Sequence, residues 1–137
     1  MLATDVAKKI YECFAKGDLS GVLACLSENI EWKLIGPSSI PYFGTYKGIS
    51  GVEKFFASLF ECEEILEFVP EEFIGNEKSV AVTGRERCRA KSTSIEFTAQ
   101  WTQIFDVTDG KVVRWREYID TAPMVAAYTA KQKGESE

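Results

Sequence analysis

Three long stretches in the C-terminal half, 79–90, 95–107 and 111–119, alternate apolar and polar residues with period two. This is the pattern of half-buried β-strands, and it excludes amphipathic helices there. In the first stretch Val80, Val82, Gly84, Cys88 and Ala90 share a face, with Arg85, Arg87, Arg89 and Lys91 opposite. In the second, Ile95, Phe97, Ala99, Trp101, Phe105 and Val107 align. In the third, within "DGKVVRWREYID", Val113, Trp115 and Ile119 align, and Val112, Arg114, Arg116, Tyr118 and Asp120 lie opposite. Each apolar face carries one polar exception: Glu86, Gln103 and Glu117 respectively.

Turn chemistry suggests how these strands pair. A three-residue loop at 108–110, with Gly110 left-handed, pairs Val107 with Lys111. Trp101 then faces Glu117, and Gln103 faces Trp115. A two-residue turn at Ser92 and Thr93 sets Glu86 opposite Ala99 and Gly84 opposite Trp101. Both registers keep the apolar faces together, as burial requires. Glu86 and Glu117 then flank the middle strand, on the order of 10 Å apart at the backbone. Gly84 and Ala99 leave space beside them. An unpaired carboxylate in apolar surroundings is costly and holds its proton more tightly. A cavity inside a curved sheet makes that cost tolerable. The alternative places Glu86 and Glu117 near an open edge, solvated or tied to Tyr or backbone groups.

The N-terminal half reads as helical. Val6, Ile10, Cys13 and Phe14 recur at helical spacing over 4–16, with Thr4 as cap and Gly17 as stop. Asp18 caps a short second helix that turns Leu19, Val22, Leu23 and Leu26 inward. "IEWKLI", 30–35, alternates as a strand, and a Gly/Pro/Ser loop follows at 36–48. "SGVE", 50–53, is a capping box ahead of a helix that buries Val52, Phe55, Phe56 and Leu59. A further strand is expected near 65–74, ending at the turn "GNEK". A last short helix starts at Thr121, and 131–137 reads as a frayed tail. The expected plan is α+β in a single domain, 1–137, with helices covering one face of a long antiparallel sheet.

Composition narrows the chemistry. The 137 residues are 45% hydrophobic, enough for a real core. Net charge is −5 without a basic run, so nucleic acid is not an expected partner. No apolar run approaches the ~20 residues that span a membrane. Asp5, Lys8 and Lys9 stand where a signal peptide needs an apolar stretch, and a cytoplasmic protein is expected. There is no histidine, which removes Ser-His and Cys-His catalysis. Cys13, Cys25, Cys62 and Cys88 lack the paired spacing of a zinc site and read as small buried hydrophobes. No metal or cofactor is expected. Acid–base chemistry falls to carboxylates, Tyr, Lys or Cys.

"GDLSGVLACLSENIEW", "PYFGTYKGISGVEKFF" and "WTQIFDVTDGKVVRWREYID" resemble the SnoaL-like and ketosteroid-isomerase-like branch of the NTF2-like superfamily. The similarity spans nearly the whole chain. It implies an α+β cone, a curved antiparallel sheet wrapped around N-terminal helices, with a deep apolar pocket and usually a homodimer. The ketosteroid isomerase general-base Asp falls at Leu34. The oxyanion-hole Tyr falls at Ile10, with Tyr11 one step off and facing elsewhere, and the protonated Asp falls near Gln103. Leucine moves no proton and isoleucine donates no hydrogen bond, so steroid isomerisation by that route is not expected. From residue 84 the chain also resembles limonene-epoxide hydrolases, whose two catalytic Asp positions match Glu86 and Glu117. Their Arg position is Gly84, and their water-holding Tyr and Asn become Trp32 and Leu34. SnoaL-type cyclases use an acid in the last strand, near Glu117.

The expectation is a small, mostly apolar or ring-shaped ligand on the concave face. Glu117 would serve as acid or base, Glu86 as its partner, and Gln103 would orient the substrate. Trp32, Leu34, Tyr46, Phe56, Trp101 and Trp115 would line the pocket, although core packing accounts equally for Phe56 and Trp115. Tyr42 and Phe43 either gate the mouth or fill space under the loop. The Arg85, Arg87, Arg89 row is either solvated or pairs with acids across a dimer. Two other readings stay open: a non-catalytic binding module, and an interaction protein whose cavity is residual.

Overall fold

The computed structural model describes residues 2–130. Helix α1, Ala3–Ala15, is followed by α2, Leu19–Ala24, and strand β1, Leu26–Ile35. Strand β2, Gly44–Lys47, leads into α3, Gly48–Cys62. Four strands follow: β3 (Glu63–Gly75), β4 (Ser79–Ala90), β5 (Ile95–Thr108) and β6 (Lys111–Ile119), then α4 (Thr121–Thr129). They form one six-stranded sheet in the order β2-β1-β6-β5-β4-β3. The α+β architecture is as expected, but the sheet is mixed: β1 runs parallel to β6. The frayed tail expected at 131–137 lies outside the described residues.

The helices bury their apolar stripes on the concave face. Val6 and Ile10 of α1, Val22 of α2, and Val52, Phe55, Phe56 and Leu59 of α3 are all buried. Gly17 ends α1 at φ +72, where glycine carries no Cβ penalty. Asp18 caps α2 by accepting the Gly21 N–H at 2.9 Å. Thr4 does not cap α1. The N-cap is Leu2, whose N–H donates to Asp5. Nor is there a capping box at 50–53: α3 begins earlier, so Ser50 lies inside its first turn and Lys47 is the N-cap, without a side-chain bond. Within the loop at 36–48, Gly44–Lys47 pairs with β1, a strand too short to show a periodic signal.

The β4–β5 register is the expected one, Glu86 opposite Ala99 and Gly84 opposite Trp101. Its loop is longer, spanning 91–94, with Ser94 at φ +64. The β5–β6 register differs. Asp109 and Gly110, at φ +52 and +74, close a two-residue turn whose twist suits the flanking strands. That turn alone would put the inward faces out of phase. A bulge between Asp106 and Val107 on one side, and around Val113 on the other, restores them. Val112 is therefore buried, and Gln103, not Trp101, lies opposite Glu117.

Candidate functional site

The concave sheet face and the helices enclose a cavity of about 70 Å³. Its wall includes Trp32, Leu34, Phe56 and Trp115, with Glu63, Glu86, Gln103 and Glu117 among its polar members. Trp32 stacks on Trp115 at 3.8 Å, one strand over in the parallel β1–β6 pair. Trp101 and Tyr46 do not line this cavity. Trp101 is buried, stacks on Phe68 at 4.8 Å, and covers Gly84 so closely that an added Cβ there would lie 2.3 Å from its ring. The space expected beside Gly84 is thus filled by that indole. Tyr46 packs on Phe55 and donates its hydroxyl to the Tyr42 carbonyl at 2.8 Å.

Glu117 is 7% exposed. The Gln103 Nε2 donates to its Oε2 at 2.6 Å, and the Tyr11 hydroxyl donates to the Gln103 Oε1 at 2.6 Å. Tyr11 thus faces the cavity, contrary to expectation. Gln103 is held at both ends, so it positions Glu117 and leaves little of its amide for a ligand. Burial raises the Glu117 carboxyl to about 7, against the opposing pull of the Gln103 hydrogen bond. Burial also raises Glu86 well above the usual carboxylate range, and the nearby Glu117 and Glu63 charges add to it. The two carboxyls titrate as one system.

Glu63, 2% exposed, is a third acid that period-two reasoning missed. It starts β3 directly after α3, in the charged run "ECEEILE", where no alternation distinguishes it from the exposed Glu61 and Glu64. Its Oε1 accepts from the Tyr128 hydroxyl at 2.7 Å and the Tyr42 hydroxyl at 2.9 Å. Burial raises its proton affinity and those hydrogen bonds pull it back. Tyr42 is thus a cavity residue, whereas Phe43 packs against Gly36. The Cys88 thiol donates to Glu86 Oε2 at 3.3 Å. Glu63, Glu86 and Cys88 bring donor atoms within 4.8 Å of one another and are the described residues that could hold a metal ion. The protons they now share would have to leave first.

Among the described residues, no lysine or arginine lines the cavity. The arginine row lies on the opposite face, where Arg85 meets Glu67, Arg87 meets Glu96 at 3.0 Å, and Arg89 meets Glu64 and Glu96. These acids belong to the same chain, so the row needs no partner to be paired. Trp32 buries an indole N–H that no group among the described residues accepts. What the site offers chemically is therefore proton exchange: three carboxyls of raised proton affinity, tyrosine donors and an apolar wall.

A family model described as the SnoaL-like domain matches residues 7–115. An NTF2-like protein from Burkholderia xenovorans LB400 is 32% identical, with 92% of this chain and 95% of that one covered, at a TM-score of 0.83. An NTF2-like protein of unknown function from Burkholderia pseudomallei K96243 is 29% identical over 93% and 97%, at 0.81. TerC, crystallised with polyporic acid, is 21% identical over 93% and 98%, also at 0.81, and shares the fold. No curated protein matches the chain in sequence. With four-fifths of its length inside that model and the cone built as its relatives build it, the chain belongs to the SnoaL-like family.

Proposed function

We propose that the protein binds a small, mostly apolar, ring-bearing carbonyl compound and moves a proton on it, with carboxyls as both base and acid. The observation that carries this is the pair Glu86 and Glu117, both facing one apolar cavity, with burial raising the proton affinity of each. In the proposed step Glu117 is the ionised member of the pair and Glu86 the protonated one. Glu117 takes a proton from the carbon beside the carbonyl. The C–H electron pair becomes the C=C bond of an enol, and Glu86 gives its proton to the carbonyl oxygen. This step is common to isomerisation and to aldol-type cyclisation. Separated proton affinities in one site are what such chemistry requires. That TerC, which shares the fold, was co-crystallised with polyporic acid supports the reading.

The test is exchange in D2O of the α-hydrogens of 2-tetralone, followed by NMR. Exchange should exceed the buffer rate and fall about 10²-fold or more in Glu117→Gln. The rate should rise with pH through about 7 and decline again as Glu86 ionises. Exchange at the buffer rate, or no loss in Glu117→Gln and Glu86→Gln, would overturn the reading. The unpartnered Trp32 N–H favours a second reading, a non-catalytic binding module in which that group holds a ligand oxygen. Tight binding without exchange, surviving Glu117→Gln, would establish it.

A homodimer through the convex sheet face is also proposed. Ile35, Ile74 and Tyr118 are exposed on the chain, and Ile35 and Tyr118 are cross-strand neighbours. Sedimentation of Tyr118→Arg should then show a monomer, and a native monomer would sink the proposal.

A further inference from the structure

The cavity beside Glu117 is smaller than a ring-bearing ligand needs. Its 70 Å³ holds a few water molecules, whereas small-molecule sites run to ~300–1,000 Å³. Immediately outside lies a groove of about 510 Å³ between the end of α1 and β3. Tyr11, Phe14, Ile65 and Phe68 line both hollows. A single layer of side chains therefore separates them. Phe14 is central to it, 6.1 Å from Phe56 on the cavity side and 5.3 Å from Phe68.

The supports of this layer are unequal. Phe68 is pinned by stacking on Trp101. Phe14 sits in the last turn of α1, half-buried, just before the Gly17 stop. Ile65 borders a bulge in β3, the edge strand, where Leu66 has no pairing partner in β4. A helix end and a bulged edge yield more readily than packed core. Among the described residues, Glu67 is the one charged side chain that lines the groove, and it is engaged by Arg85. No described cation lines the groove, so an anionic tail would gain nothing from the residues there.

We infer that cavity and groove are two halves of one site, with Phe14 as the leaf between them. Its ligand is an uncharged, elongated molecule of at least two rings, the oxygen-bearing ring beside Glu117 and the second ring in the groove. This deepens the proposed function and rests on it. A turn of the Phe14 side chain joins the two spaces, and their combined volume then falls within the usual range for such sites.

The experiment compares phenol with 4-phenylphenol by NMR titration, reading the ratio of their affinities. The native protein should prefer 4-phenylphenol about tenfold or more, the gain from burying one further ring. Ala15→Trp, from the exposed side of α1, fills the groove and should bring the ratio toward one. Phe60→Ala removes an exposed groove wall and should lower the ratio about threefold, which guards against misfolding of the tryptophan variant. Equal affinities in the native protein, or a ratio unchanged in both variants, overturn the two-part site. If binding needs Glu117 but the ratio is one, the acid–base reading stands and the two-part site falls. If the ratio behaves as expected but 2-tetralone does not exchange, the acid–base step falls alone. Absence of any binding overturns both.

Discussion

Glu117 carries an ordinary side chain in an extraordinary setting. Its proton affinity rises because burial removes water from the carboxylate and no cation among the described residues replaces it. The folded value, about 7, exceeds the ordinary 4.5. Folding is therefore favoured while the group is protonated in both states, below about 4.5. That contribution is lost as pH rises through 7. At about 1.4 kcal/mol per unit, the loss is on the order of 3 kcal/mol. Glu117→Gln should thus be more stable than the native protein at pH 8, with the difference vanishing near pH 4.5. Urea denaturation across that range measures it, and a constant difference would contradict the linkage. Tyr11→Phe removes the donor that holds Gln103 in place. The variant should lose about 1 kcal/mol of stability, and the Glu117 carboxyl should titrate at higher pH by ¹³C NMR.

At the scale of elements, the β5–β6 hairpin shows how local chemistry and packing divide the work. Gly110 adopts the left-handed conformation that its turn requires, at φ +74. Gly110→Ala should cost about 1 kcal/mol in thermal unfolding. The register depends on something further, the bulge around Val113. Turn and bulge together align Gln103 with Glu117. A turn with a left-handed Gly110 is legible in "TDG", but its length is not: the chain closes it with two residues, not three. Nor is the bulge, because the extra residue, Val113, follows another valine and either of the two can be read as the inward one. Gly84 makes a second case. Read from sequence, it is a gap in the lining; in the fold, the Trp101 ring occupies that gap. Gly84→Ala should therefore destabilise by about 1–3 kcal/mol, since the added methyl meets both the indole and the Val69 carbonyl. A neutral effect in a thermal melt would mean that the indole shifts freely.

At the scale of the molecule, the curvature of the sheet assembles the site. Glu86 pairs with Ala99 and Glu117 with Gln103, four residues apart along β5. On a flat sheet that offset alone is about 13 Å. The closed concave face nevertheless aims both at one cavity. Period-two alternation was sufficient to determine, from sequence by itself, which face of β4, of β5 and of β6 beyond its bulge turns inward, because one-sided burial fixes the phase; at the start of β6 the bulge reverses it and buries Val112. It thereby marked Glu86, Gln103 and Glu117 as inward polar residues. Glu63, the Tyr11–Gln103 bond and the filling of the space beside Gly84 were decided only by tertiary structure. Each depends on a contact between segments distant in the chain, a helix against a strand or an indole across a strand, and no local pattern of residues encodes such a distance.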